Sequence, residues 1–100
     1  MSRLSYAAAA ILQTIASGSR YGFDIMAATG LPSGTVYPAL RRMEKYEQIR
    51  GRWESEEEAR RAGRPKRRYY EITASGIEAL ESALNRFHSL RSLDLRSSEA

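Results

Sequence analysis

The chain has 100 residues, 42% of them hydrophobic, which suits one globular domain with a modest core and not a disordered chain. It has no cysteine, so neither a disulfide framework nor a thiolate metal site is available. The formal net charge of +4 is concentrated between Arg41 and Tyr70, where eleven Lys/Arg face six Asp/Glu, as expected for a face turned to a polyanion or for a solvated surface with no partner. No apolar run of about 18 residues occurs, so no membrane span is expected. The apolar stretch Ala7 to Ile15 lacks a charged lead-in and a clear cleavage site after it. A signal peptide is therefore not expected, and a cytoplasmic location is the default.

Leu4 to Ser17 reads as the first helix, with Leu4, Ala8, Ile11, Leu12 and Ile15 on one stripe. Ala7 to Ala10 favour helix and permit a close neighbour. Gly18 suits the left-handed position that ends it. Tyr21 to Thr29 reads as a short second helix, closed by Gly30. Leu31 and Pro32 turn into a third helix with Ser33 as its N-cap. Val36, Leu40 and Met43, continued by Glu47, mark that helix's inner stripe, and Arg41, Arg42 and Lys45 fall off it. Thr35 and Tyr37 occupy the first turn. Pro38 costs one helical hydrogen bond, tolerable this near the start. Two short helices joined by a Gly-containing turn are a helix-turn-helix pattern, a weak signal by itself.

After Ile49 the period changes to two. Ile49 to Trp53 and Lys66 to Ile72 favour strand, and Gly63 and Pro65 punctuate the polar segment between them. This predicts a long hairpin with a floppy or partly ordered tip, in which Glu56–Arg60 and Glu57–Arg61 pairs favour transient helix. Trp53 is placed to pair across the hairpin with Tyr69 or Tyr70, one tyrosine facing the core and the other outward. Thr73 is a good N-cap for a last helix running from Ala74 to about Leu93. Ile77, Leu80, Leu84, Phe87 and Leu90 form its stripe. Ile77 and Leu80 are expected on the head of the molecule, and Leu84, Phe87 and Leu90 beyond it.

The order is helix, helix, helix, two-stranded hairpin, helix. With it go four stretches: Tyr21-Gly22-Phe23-Asp24-Ile25, Gly34 to Glu44, Gly63 to Tyr70, and Ile72-Thr73-Ala74-Ser75-Gly76. The chain in these stretches resembles the PadR-like transcriptional regulators, specifically the short members with one C-terminal helix. The second and third stretches, in this order with a wing between, are the specific ones. One departure is Gln48, where members usually carry a glycine before the first wing strand. The resemblance implies a homodimeric DNA-binding repressor, often released from its operator by a small molecule, classically a phenolic acid.

The expected fold class is mainly α with a two-stranded β-wing. A winged helix-turn-helix is expected over 1–73, a C-terminal dimerisation helix over 74–96 and a frayed tail over 97–100. The expected partner is double-stranded DNA. A helix enters the major groove with its N-terminal residues at base edges, while much of the remaining contact goes to phosphate. Ser33, Thr35 and Tyr37 are therefore candidate groove residues, Tyr37 having packing against the wing as its alternative. Arg41, Arg42 and Lys45 are candidate phosphate contacts. On the wing, Arg64, Lys66 and Arg68 are candidates for phosphate or minor-groove contact, against the alternative of a charged, solvated edge strand. The acidic Glu56 to Glu58 should stay off the DNA.

Leu84, Phe87 and Leu90 are expected to meet Leu4, Ala8 and Ile11 of a second copy, with any pocket for a small aromatic effector between the last helix and the first. His88, the only histidine, lacks the company a metal site or a catalytic triad needs. No cofactor, no metal and no enzymatic activity are expected. The competing reading is a winged-helix module that binds an acidic protein.

Overall fold

The computed structural model describes residues 3–88. Its first helix, α1 (Tyr6–Ala16), is capped by Ser5, whose hydroxyl accepts from the Ala8 N–H at 3.1 Å. Eight successive residues, Ala8 to Ile15, are buried, so this helix is enclosed rather than striped. The alanines explain how: Ala8, Ala9 and Ala10 let neighbouring elements approach the axis closely on several sides. Helices α2 (Gly22–Thr29), α3 (Ser33–Lys45) and α5 (Ala74–Arg86) and strand β2 (Arg68–Ile72) all pack on it.

Helix α2 is held by fully buried Ile25 and ends at Gly30 in the left-handed conformation. Helix α3 buries Val36, Ala39, Leu40 and Met43. Its N-cap is Pro32 rather than Ser33, with no side-chain cap. The Pro32 carbonyl accepts from both Thr35 and Val36 N–H at 3.0 Å, and Pro32 has no N–H of its own to leave unpaired. Ser33 is thereby released from capping. Pro38 does lie inside the helix, where it removes the bond to the Gly34 carbonyl and no other.

The expected continuation of the α3 stripe to Glu47 does not occur. Tyr46 ends the helix and Glu47 takes the left-handed conformation, with φ 60°. The Glu47 N–H donates to the Glu44 carbonyl and the Gln48 N–H to the Met43 carbonyl, which makes a Schellman ending with a glutamate in the place glycine favours. The unusual turn residue is thus Glu47, one position before the departure seen in the sequence.

Strand β1 (Ile49–Trp53) pairs antiparallel with β2 from Ile49 opposite Ile72 to Trp53 opposite Arg68. Trp53 therefore faces Arg68, not a tyrosine; Tyr69 is opposite Arg52 and Tyr70 opposite Gly51. Tyr70 is the buried tyrosine and Tyr69 the outer one. The tip is an ordered helix, α4 (Glu56–Ala62). Ser55 and Glu58 form a reciprocal capping box, and Arg61 bonds Glu57 at 2.9 Å. Acidic residues at its start and basic ones at its end complement the helix dipole.

Helix α5 starts at Thr73, whose hydroxyl accepts from the Gly76 N–H at 3.0 Å. Its inner row is Gly76, Leu80 and Ala83. A Cβ at Gly76 would overlap the Gln48 carbonyl oxygen, so glycine lets α5 sit directly on the turn before the wing. That register swings Ile77, expected inside, to the edge, where it is 47% exposed. Leu84 and Phe87 pack partly against the core instead of projecting from it. The helix was expected to run on to about Leu93, but Phe87 leaves it at φ −118°, ψ 86°, and Leu90 lies outside the described residues. The Phe87 ring stands edge-on to Tyr6 with centroids 5.3 Å apart, and Arg86 donates to the Leu4 carbonyl at 3.2 Å. These contacts tie the end of α5 to the start of α1.

Candidate nucleic-acid interface

Helix α3 presents its outer face beside the wing. Arg41, Arg42 and Lys45 are exposed, and none belongs to an ion pair among the described residues. The same amphipathic register that buries Val36, Leu40 and Met43 turns these three cations outward. Ser33 and Gly34 are exposed at the helix start and Thr35 is half-buried. The first-turn N–H groups of Ser33 and Gly34 have no helical acceptor, and the helix dipole makes this end attractive to anions.

Tyr37 packs back towards the start of α2. Its ring lies across Gly22, where any Cβ would collide with it. At 37% exposure it keeps one edge in a cleft of about 350 Å³ between α2, α3 and the wing. Phe23, Trp53 and Lys66 also line that cleft.

The basic residues of the wing do not act alike. Arg64 donates from both terminal nitrogens to the Glu54 carboxylate, at 2.6 and 2.9 Å. Glu54 also accepts from the Arg67 N–H at 3.2 Å and the Tyr69 hydroxyl at 3.3 Å, while its own N–H donates to the Arg67 carbonyl at 2.8 Å. These bonds buckle the two legs of the wing just below α4. The carboxyl is only 4% exposed, and the Arg64 guanidinium holds it down to about 2 against the opposing push of burial. The same pairing raises the Arg64 pKa. Arg64 is therefore first a structural residue, its charge already matched. Arg68 is matched too, by Glu44. Lys66 stays exposed, with Glu56 at a loose 3.9 Å.

Three further cations escaped the sequence reading: Arg50, Arg52 and Arg67. None has an acidic partner among the described ion pairs. Arg50 and Arg52 alternate with Ile49, Gly51 and Trp53, so the period of two already placed them together on a strand face. Arg67 lies 4.0 Å over the Tyr21 ring, and the Arg20 carbonyl accepts from the Tyr70 N–H at 2.8 Å, so the loop before α2 is fastened to the wing. Of the expected dimer residues, Ile11 is fully buried within the chain and Leu4 and Ala8 nearly so. They pack the core and offer a partner little surface. Leu84 and Phe87 remain partly accessible. No group of residues able to hold a metal ion occurs among those described, and His88 is exposed.

A helix-turn-helix pair whose second helix carries unpaired cations, set beside a two-stranded wing, defines a winged helix-turn-helix protein. Residues 11–82 match the transcriptional regulator PadR-like family, and the chain belongs to it. It is a DNA-binding transcriptional regulator, not an enzyme. The fold is similar to that of a PadR family transcription regulator from Clostridium difficile, with TM-score 0.71 and 24% identity over 92% of this chain and 97% of that one. A PadR-like transcriptional regulator from Bacillus cereus is 26% identical, with TM-score 0.64 over 93% of this chain and 91% of that one. A transcriptional regulator from Clostridium thermocellum gives TM-score 0.67 at 23% identity, with 91% of each chain covered. No curated protein matches the chain. No helix among the described residues is long and apolar enough to cross a membrane.

Proposed function

We propose that the chain acts as a homodimeric, sequence-specific repressor that leaves its operator when a small aromatic effector binds. The observation that carries the DNA contact is the division of charge. Arg41, Arg42 and Lys45 on α3 have no acidic partner among the described ion pairs, whereas Arg64 and Arg68 on the wing do. Helix α3 enters the major groove with Ser33 and Thr35 towards base edges, and the edge of Tyr37 beside them. Arg41, Arg42 and Lys45 take phosphates, and exposed Lys66, held only loosely by Glu56 at 3.9 Å, is a contact from the wing. Affinity then comes largely from released counterions and falls steeply with salt.

The dimer joins through the accessible parts of Leu84 and Phe87 beside Tyr6, where α5 ends on α1. Two heads related by a two-fold axis read a roughly palindromic operator. An effector releases the protein by favouring one spacing of the two heads over the other. The test is Thr35→Ala. Preference among duplexes should relax while affinity for random duplex is kept. Equal loss on both would remove Thr35 from base readout.

A further inference from the structure

We propose that Arg68 and Glu44 form a brace that sets the wing's position relative to α3, which makes Arg68 a positioning residue for sequence-specific binding. This rests on the DNA-binding reading above. Glu44 lies in the last turn of α3 and Arg68 opens β2, and the Arg68 guanidinium donates to the Glu44 carboxylate. Among the described residues no other ion pair joins α3 to the wing.

The guanidinium is fixed from three further sides. It lies 5.3 Å from the Trp53 ring, its cross-strand neighbour, and 6.0 Å from that of Tyr70. It also crosses the bare backbone of Gly51, where a Cβ would stand 2.7 Å from its terminal nitrogen and 2.8 Å from Cζ and Nε. Arg68 also lines, with Tyr37 and Trp53, the open cleft between the wing and the start of α3, where little packing holds the two together. The brace supplies that restraint. Since its charge is matched by Glu44, Arg68 serves the DNA by spacing two contact elements and not by binding phosphate itself.

Simple electrostatics and the brace predict opposite signs for one substitution. Glu44→Gln removes a negative charge beside a basic face, which by charge alone tightens binding to any duplex. Loss of the brace loosens binding to the preferred duplex. Gly51→Ala changes no charge and crowds the guanidinium out of its seat; the displaced group is the flexible end of a side chain, so the fold should survive. The probe is the duplex that the wild-type protein selects from a random pool, with a scrambled duplex of equal length beside it. Each variant should bind the selected duplex roughly three- to tenfold more weakly, as expected for loss of a partly buried charged contact, with no loss on the scrambled one. The double variant should be no worse than the weaker single one, because both break one link.

Emission of Trp53, the only tryptophan, reads the brace without DNA and should change in both variants. If Glu44→Gln binds the selected duplex as tightly as wild type or more so, the brace is refuted. If Trp53 emission is unaltered in both variants, it is refuted independently of DNA. Should the wild type select no duplex, the DNA-binding reading fails, and the emission result still decides whether the brace exists.

Discussion

Glu47→Gly isolates the turn that joins α3 to the wing. Glu47 is the one non-glycine residue with positive φ among those described, at 60°, and its side chain is exposed. The turn is made by backbone groups: the Glu47 N–H donates to the Glu44 carbonyl at 3.0 Å, and the Glu47 carbonyl accepts from the Thr73 hydroxyl at 2.6 Å. Glycine keeps both bonds and loses only the Cβ that the left-handed conformation penalises. That penalty is about 1–2 kcal/mol for an L-residue, offset by roughly 0.4–1 kcal/mol for the greater freedom of glycine in the unfolded chain. The net gain should be about 0.5–1 kcal/mol, or a rise of roughly 2–8 °C in Tm for a domain of this size. Calorimetry of Glu47→Gly beside Glu47→Gln checks it, the glutamine variant controlling for charge. If glycine gives no more stability than glutamine, or less, the left-handed turn is not strained as argued.

Four other outcomes are expected. The Glu54 carboxyl, ordinarily near 4.5, is held to about 2 by Arg64, helped by the Arg67 N–H and the Tyr69 hydroxyl. A lowered folded pKa contributes stability that is complete above the unfolded value and fades as pH falls towards the folded one. Acid unfolding followed by circular dichroism should show this loss between about 4.5 and about 2, and Glu54→Gln should flatten that limb of the curve. Lys66→Ala should reduce the slope of log affinity against log salt by roughly one unit. Arg64→Ala should instead lower the unfolding midpoint of the wing, as followed by hydrogen exchange. Leu84→Asp with Phe87→Asp should sediment as a folded monomer if those side chains hold the dimer. A persisting dimer places the interface elsewhere.

Element order, both strands and the caps at Thr73 and Gly30 were legible because each rests on local chemistry: periodicity, a hydroxyl or a glycine. Helix α4 reads in the sequence only as transient helix in a floppy or partly ordered tip, because the many charges around it resemble a solvated loop; the capping-box spacing of Ser55 and Glu58 is the signal that could have found it. What could not be read were choices made by tertiary contacts. Gly76 against the Gln48 carbonyl rotates α5 and exposes Ile77, a shift that helical periodicity cannot distinguish from its neighbour. Likewise α1 reads as a striped surface helix until its alanines are seen admitting neighbours on several sides. In the candidate interface, the sequence located the basic segment but not its pairing. Glu54 and Arg64 are ten positions apart and Glu44 and Arg68 twenty-four, so only the fold shows which cations are already matched.

The most direct measurement is selection of duplexes by the full chain from a random pool, followed by footprinting of the winners. Two α3 helices of one dimer, reading successive major grooves, should enrich a palindrome with half-site centres about 34 Å apart, one helical turn. Enrichment of a single half-site contradicts the dimeric arrangement, and a pool that emerges unenriched contradicts sequence-specific recognition itself.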